Sequence, residues 1–118
     1  GSLEIGQGAV SCASLILAVE AQEGTDRMLA RVAELPVEIR GTPEARRGVL
    51  VKRPKPQQER RIDLPTIGVT TVQGAAKAGL AGIAVEAGAA LVVDRGNVAN
   101  AANELGIFIY GFTAAEVA

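Results

Sequence analysis

Between Lys52 and Gly68 the chain reads Lys-Arg-Pro-Lys-Pro-Gln-Gln-Glu-Arg-Arg-Ile-Asp-Leu-Pro-Thr-Ile-Gly, which gathers five basic residues around Asp63. Three prolines keep this stretch out of a helix, since each fixes its own φ, lacks an N–H and biases the preceding residue toward an extended form. A loop this stiff and basic builds little core and is suited to gripping phosphate. Arg60 and Arg61 can clamp phosphate oxygens in pairs, while Lys52 and Lys55 act as point charges. Held ionised by that company, Asp63 can share a divalent cation, Mg²⁺ or Mn²⁺, with a phosphate, because hard cations favour oxygen ligands. Histidine is absent and no nucleophilic serine elbow stands out, so hydrolysis by metal-activated water is the simplest chemistry open to such a site. The competing reading makes Asp63 a salt-bridged structural carboxylate and the basic strip a solvated loop.

Further acidic residues fall at the ends of apolar runs: Glu20, Glu23 and Asp26 in one group, Glu86 and Asp94 in another. Loops after strand ends are where α/β folds place ligands. A carboxylate there is more often a cap or turn former, and for Asp26 the cap reading leads. The Gly24-Thr25-Asp26 turn opens a helix, where Thr25 or Asp26 can cap free N–H groups and an anion can meet the same donors. Glu86 and Asp94 lie beside turns and read as structural or solvated.

The elements that must position these residues alternate between strand and helix. Ser14 to Glu20 is a short apolar run that reads as a buried strand. Met28, Leu29, Val32 and Leu35 mark one face of a helix that ends at Pro36, and residues 36–47 form a surface connection. Residues 48–51 make a second strand that delivers Lys52. Thr70-x-x-Gln73 resembles a capping box for a small-residue helix closing near Gly79. Residues 83–86 and 91–94 read as strands around an Ala87-Gly88 hairpin turn. Val98, Ala101, Ala102 and Leu105 mark a last helix, stopped by Gly106, before a strand over 107–112. The expectation is one compact α/β domain with a mixed sheet and flanking helices.

Composition narrows the function classes. The 118 residues make one domain by length, and only three of them are aromatic, so the core must be Ala, Val, Leu and Ile. A net charge of −1 and the scarcity of rings for base stacking argue against general nucleic-acid binding. Yet seven of the twelve Lys and Arg lie between Arg46 and Arg61, which points to a particular anionic ligand. The single Cys12 excludes an internal disulfide, and no apolar run nears the ~20 residues of a membrane span.

Four blocks then occur in order: Ala18 to Asp26; Lys52-x-x-Lys-Pro-x-Gln with Arg61-x-Asp-Leu-Pro-Thr-Ile-Gly68; Ala78-Gly-Leu-x-Gly-Ile-Ala-Val-Glu-Ala-Gly88; and Val92-Val-Asp-Arg95. Together they resemble the C-terminal domain of the UDP-2,3-diacylglucosamine pyrophosphatases of the LpxI type, over about Ile5 to Phe112. The resemblance implies residues 1–118 to be the C-terminal catalytic domain of a cytoplasmic, Mg²⁺- or Mn²⁺-dependent hydrolase of lipid A synthesis, possessing no membrane anchor of its own. Such enzymes cleave UDP-2,3-diacylglucosamine to UMP and 2,3-diacylglucosamine 1-phosphate, with water directed at the β-phosphorus. It further implies Asp63 as catalytic residue and metal ligand, and Gly24, Thr25, Asp26, Lys52, Lys55, Gln57, Arg60, Arg61 and Thr66 as the substrate site. Family members carry an additional N-terminal domain, and Glu59 stands where relatives often have Asp. Two further readings stay open: a non-catalytic module for an acylated sugar nucleotide or its product, and an oligomerisation domain using the small-residue helices at 70–78 and 97–105.

Overall fold

The computed structural model describes residues 8–13, 15–20, 24–52, 66–86, 91–92 and 94–112. Their elements run β1 (Gly8–Cys12), β2 (Leu15–Val19), α1 (Thr25–Ala33), β3 (Val49–Lys52), β4 (Thr66–Ile67), α2 (Val69–Lys77), β5 (Gly82–Glu86), β6 (Leu91–Val92), α3 (Arg95–Leu105) and β7 (Phe108–Phe112). Five strands form one mixed sheet in the order β2-β1-β3-β5-β7, while β4 and β6 pair in a small separate sheet. β1 runs antiparallel to both β2 and β3, and β3, β5 and β7 run parallel. Parallel neighbours need long crossovers, and α2 and α3 supply them. The expected α/β domain with a mixed sheet is what forms.

One sheet face and the three helices share a single core. Val10, Leu50, Ile83 and Val85 from the strands meet Met28, Leu29 and Val32 of α1, which are the helix residues expected to face inward. α2 lies between α1 and α3. Its small residues are used here: Ala75 and Ala76 are buried, and a Cβ at Gly74 would come within 3.1 Å of Leu29 Cδ1. The opposite face carries Ile16, Val19, Phe108 and Tyr110, which are 65, 45, 49 and 48% exposed, and no described element covers it.

Several expectations are corrected. β2 forms, but as an edge strand with Leu15 55% exposed rather than a buried one. Its partner β1 was not expected, because Gly-Ala-Val-Ser-Cys is too small-chained to signal a strand by composition. β5 and β6 make no hairpin: β5 is hydrogen-bonded to β3 and β7, leaving no free edge for β6, which pairs in parallel with β4. α1 stops at Ala33, short of Pro36, as the bias on the residue before proline requires. At α2 the cap is Gly68, not Thr70; the Thr71 hydroxyl accepts a 3.3 Å hydrogen bond from Gly68 N–H, so only the returning half of a capping box is present.

Candidate functional site

Register builds the site. Glu20 N–H donates to Gly8 O at 2.8 Å, and Gly8 pairs across the other side of β1 with Lys52. Glu20, Gly8 and Lys52 therefore form a row across three strands, with glycine in the middle. Glu20 sits two residues past the buried Ala18, so strand alternation turns its side chain inward as well. The gap at Gly8 receives it: a Cβ there would lie 2.9 Å from Glu20 Oε1.

The first turn of α1 closes over this row. Thr25 Oγ1 donates to Glu20 Oε1 at 2.6 Å and accepts from Lys52 Nζ at 3.0 Å. The shorter distance is typical of a hydroxyl bonded to a carboxylate. Thr25 was expected to cap α1, or Asp26 in its place, but the cap is Gly24 at φ 91° and ψ 165°, with no side-chain bond. Thr25 lies one residue and Asp26 two residues past the cap position, and the Thr25 hydroxyl is engaged by Glu20 and Lys52. Gly24 takes a positive φ that other residues adopt only under strain. Asp26 stays exposed in the first turn, where its charge favours the positive end of the helix.

Lys52 is the unusual member, being only 4% exposed. Burial lowers its pKa from the ordinary 10.5, and the charges of Glu20 and Asp26 partly oppose that fall. The unfolded chain thus holds this proton more firmly than the folded one. Lys52 should make folding more favourable as pH rises through its lowered pKa toward 10.5. Urea midpoints compared between the parent and Lys52→Met are expected to shift in the parent's favour as the solution becomes alkaline. A pH-independent difference would contradict the buried ammonium.

Of the sequence-predicted residues, the structure brings Gly24, Thr25, Asp26 and Lys52 to one corner. Thr66 begins β4, paired with Leu91, three residues before α2. Lys55, Gln57, Arg60, Arg61 and Asp63 lie outside the described residues. Two arginines of the basic strip serve the fold: Arg46 donates to Ala76 O at 2.8 Å and Leu80 O at 3.4 Å, and Arg47 to Arg40 O at 2.9 Å. Guanidinium groups spent on carbonyls at the end of α2 and in the 36–47 connection are braces, so the strip is less of a ligand site than its composition suggests. Glu20 was singled out at a strand end without a role, and the alternation from Ala18 was the available signal for its inward turn; Gly8 was missed, and nothing local marks it. Among the described residues no three acidic, cysteine or histidine side chains cluster as a metal site. Of the carboxylates at this corner, Glu20 is engaged by the Thr25 hydroxyl and Asp26 is exposed.

A mixed-sheet α/β domain with a buried lysine and two carboxylates gathered at the carboxyl ends of its strands is the class that this fold and site define. Within that class, the model for the LpxI C-terminal domain matches residues 1–110, and the chain belongs to that family. It is 66% identical over 111 residues to the UDP-2,3-diacylglucosamine pyrophosphatase LpxI of Caulobacter vibrioides. The match covers 94% of this chain and 40% of that protein, so the chain spans less than half the relative's length.

Proposed function

We propose that this chain is the catalytic C-terminal domain of a hydrolase that cleaves the pyrophosphate of UDP-2,3-diacylglucosamine, a step of lipid A synthesis. The observation that carries the reading is the buried Lys52 ammonium beside the N-terminus of α1, at the point where β3 hands the chain to the segment containing Asp63. The 66% identity to a protein named for that reaction supports it. The substrate's two phosphates need positive charge, and the corner offers an ammonium and helix N–H groups while the following segment offers Lys55, Arg60 and Arg61.

In this reading water attacks the β-phosphorus, the bond from that phosphorus to the bridging oxygen breaks, and UMP leaves. The sugar 1-phosphate remains as 2,3-diacylglucosamine 1-phosphate. Lys52 and the first turn of α1 hold non-reacting phosphate oxygens, with Gly24 letting the backbone approach closely. Arg60 and Arg61 stabilise charge that builds on the phosphates, and Gln57 and Thr66 add polar contacts. Asp63 would hold Mg²⁺ or Mn²⁺, which supplies charge neutralisation and a more acidic bound water. A further N-terminal domain, as in family members, completes the site over this rim. The enzyme works in the cytoplasm and meets the inner membrane only through its diacylated ligands; no helix among the described residues is long and apolar enough to cross a membrane.

The test is calorimetry of 2,3-diacylglucosamine 1-phosphate on this chain with Mg²⁺ and then with a chelator. Binding that weakens at least about tenfold on metal removal is expected, since an ion shared with the phosphate contributes part of the affinity. Equal affinity with and without metal would favour a module that only recognises the acylated sugar phosphate. No binding in either case would leave the phosphate corner without its ligand and count against the proposal.

A further inference from the structure

We propose that Glu20 is a positioning residue of this corner: through the Thr25 hydroxyl, with Gly8 giving it room, its carboxylate sets the direction of the Lys52 ammonium. The proposal rests on the phosphate-corner reading for its consequence and on the geometry for its substance. Glu20 is 9% exposed and Lys52 4%, and a single hydroxyl joins them at 2.6 and 3.0 Å. A hydroxyl has one proton, and Glu20 Oε1 takes it. The lone pairs of Thr25 Oγ1 are then turned toward Lys52, so the threonine can only accept from the ammonium. The order of donation is thereby fixed from Lys52 to Thr25 to Glu20.

This arrangement has a cost that simple packing would avoid. Withdrawing a carboxylate and an ammonium from water is expensive, and an apolar pair of similar volume commonly packs as stably or better. An apolar residue at position 20 would leave the Thr25 proton undirected and remove one of the two carboxylates whose charge favours the ammonium. The row Glu20–Gly8–Lys52 also ties the end of β2 to the end of β3 across β1, so a shift of either strand exit moves the ammonium. A cation that holds one direction before the ligand arrives need not be reordered on binding, so its misdirection is read in kcat/KM.

Three variants test this: Glu20→Ala removes the acceptor, Glu20→Gln keeps an oxygen in its place, and Gly8→Ala puts a methyl 2.9 Å from Oε1 and displaces the carboxylate without removing it. Because that oxygen is the far end of a flexible side chain, Gly8→Ala should fold even where Glu20→Ala does not. The first readout is the ¹H–¹⁵N signal of the Lys52 ammonium, which is visible only when held and shielded from exchange. It is expected in the parent and in Glu20→Gln, and to broaden away in Glu20→Ala and Gly8→Ala. The second is turnover of UDP-2,3-diacylglucosamine, with kcat/KM falling about tenfold in the alanine variants and most of the loss restored by glutamine. An ammonium signal that persists in both alanine variants overturns the inference, as does a glutamine variant that behaves like alanine in both readouts. Because a further N-terminal domain completes the site, turnover is read on the protein that carries it. Absence of turnover there counts against the hydrolase reading alone, and the ammonium signal still decides the role of Glu20.

Discussion

Alanine at position 79 is expected to destabilise the domain by about 3–4 kcal/mol, a large share of the roughly 5–15 kcal/mol that holds a domain of this size together. Gly79 sits at φ 77°, where an L-residue incurs about 1–2 kcal/mol on its own. The larger part comes from where the methyl would go. It would run into the carbonyl of Gly41 and lie 2.7 Å from Thr42 N, so every atom it meets is backbone. That backbone cannot retreat cheaply. Arg47 N–H donates to Gly79 O at 3.0 Å, Arg46 grips Ala76 O at 2.8 Å, and Thr42 and Ala45 exchange a pair of 3.1 Å hydrogen bonds. Gly106→Ala is the control, since its φ of 72° is similar but its Cβ would meet nothing within 4 Å. Urea unfolding should place the midpoint of Gly79→Ala well below that of Gly106→Ala, with similar slopes. Equal midpoints would mean that the 36–47 connection yields easily.

On the proposed function, Asp63→Ala in the protein that carries the N-terminal domain is expected to lower kcat for UDP-2,3-diacylglucosamine hydrolysis by about 10²–10⁴-fold, the range for losing a group that acts on the attacking water. Its urea midpoint should move little, because a carboxylate in so polar and proline-rich a stretch contributes little to a core. The distinction from a binding module lies in the pairing of results. A hydrolase that loses Asp63 keeps its phosphate grip in Lys52 and α1 while turnover collapses. A structural carboxylate would give the reverse, with stability falling and the remaining folded fraction working normally. Asp63→Asn sharpens the comparison, since it keeps the shape and gives up the charge. Asparagine that retained turnover would remove Asp63 from the chemistry.

What could be seen in the sequence was whatever depended on local pattern. The face of α1 follows from Met28, Leu29 and Val32, and the stop of α3 from Gly106, because helix periodicity and a left-handed cap are properties of neighbouring residues. β1 was invisible for the same reason: its strand character comes from lying between β2 and β3, not from its small side chains. Lys52 was expected as a ligand-site cation in an open loop. Its burial is set by α1 folding over the end of β3, which joins residues far apart in sequence. Thr25 was placed in the correct turn with the wrong task, since capping and bridging compete for one hydroxyl and only the position of Glu20 decides between them.

The direction of the strands divides the domain's two rims between different kinds of work. β2, β3, β5 and β7 all point the same way, because β1 opposes both β2 and β3. They leave the sheet together at Glu20, Lys52, Glu86 and Phe112, so the segment bearing Asp63 starts from the rim that holds the Lys52 corner. Each is approached at the other rim through a residue with positive φ: Ala13 before β2, Gly48 before β3, Gly79 before β5 and Gly106 before β7. Among the described residues, four of the six positive-φ positions are these entry turns, while Gly24 and Asp94 take theirs at the starts of α1 and α3. On the proposed function, substitutions at the exit rim retune which phosphorylated ligand is held while leaving the four entry turns in place, so the ligand chemistry can diverge faster than the fold.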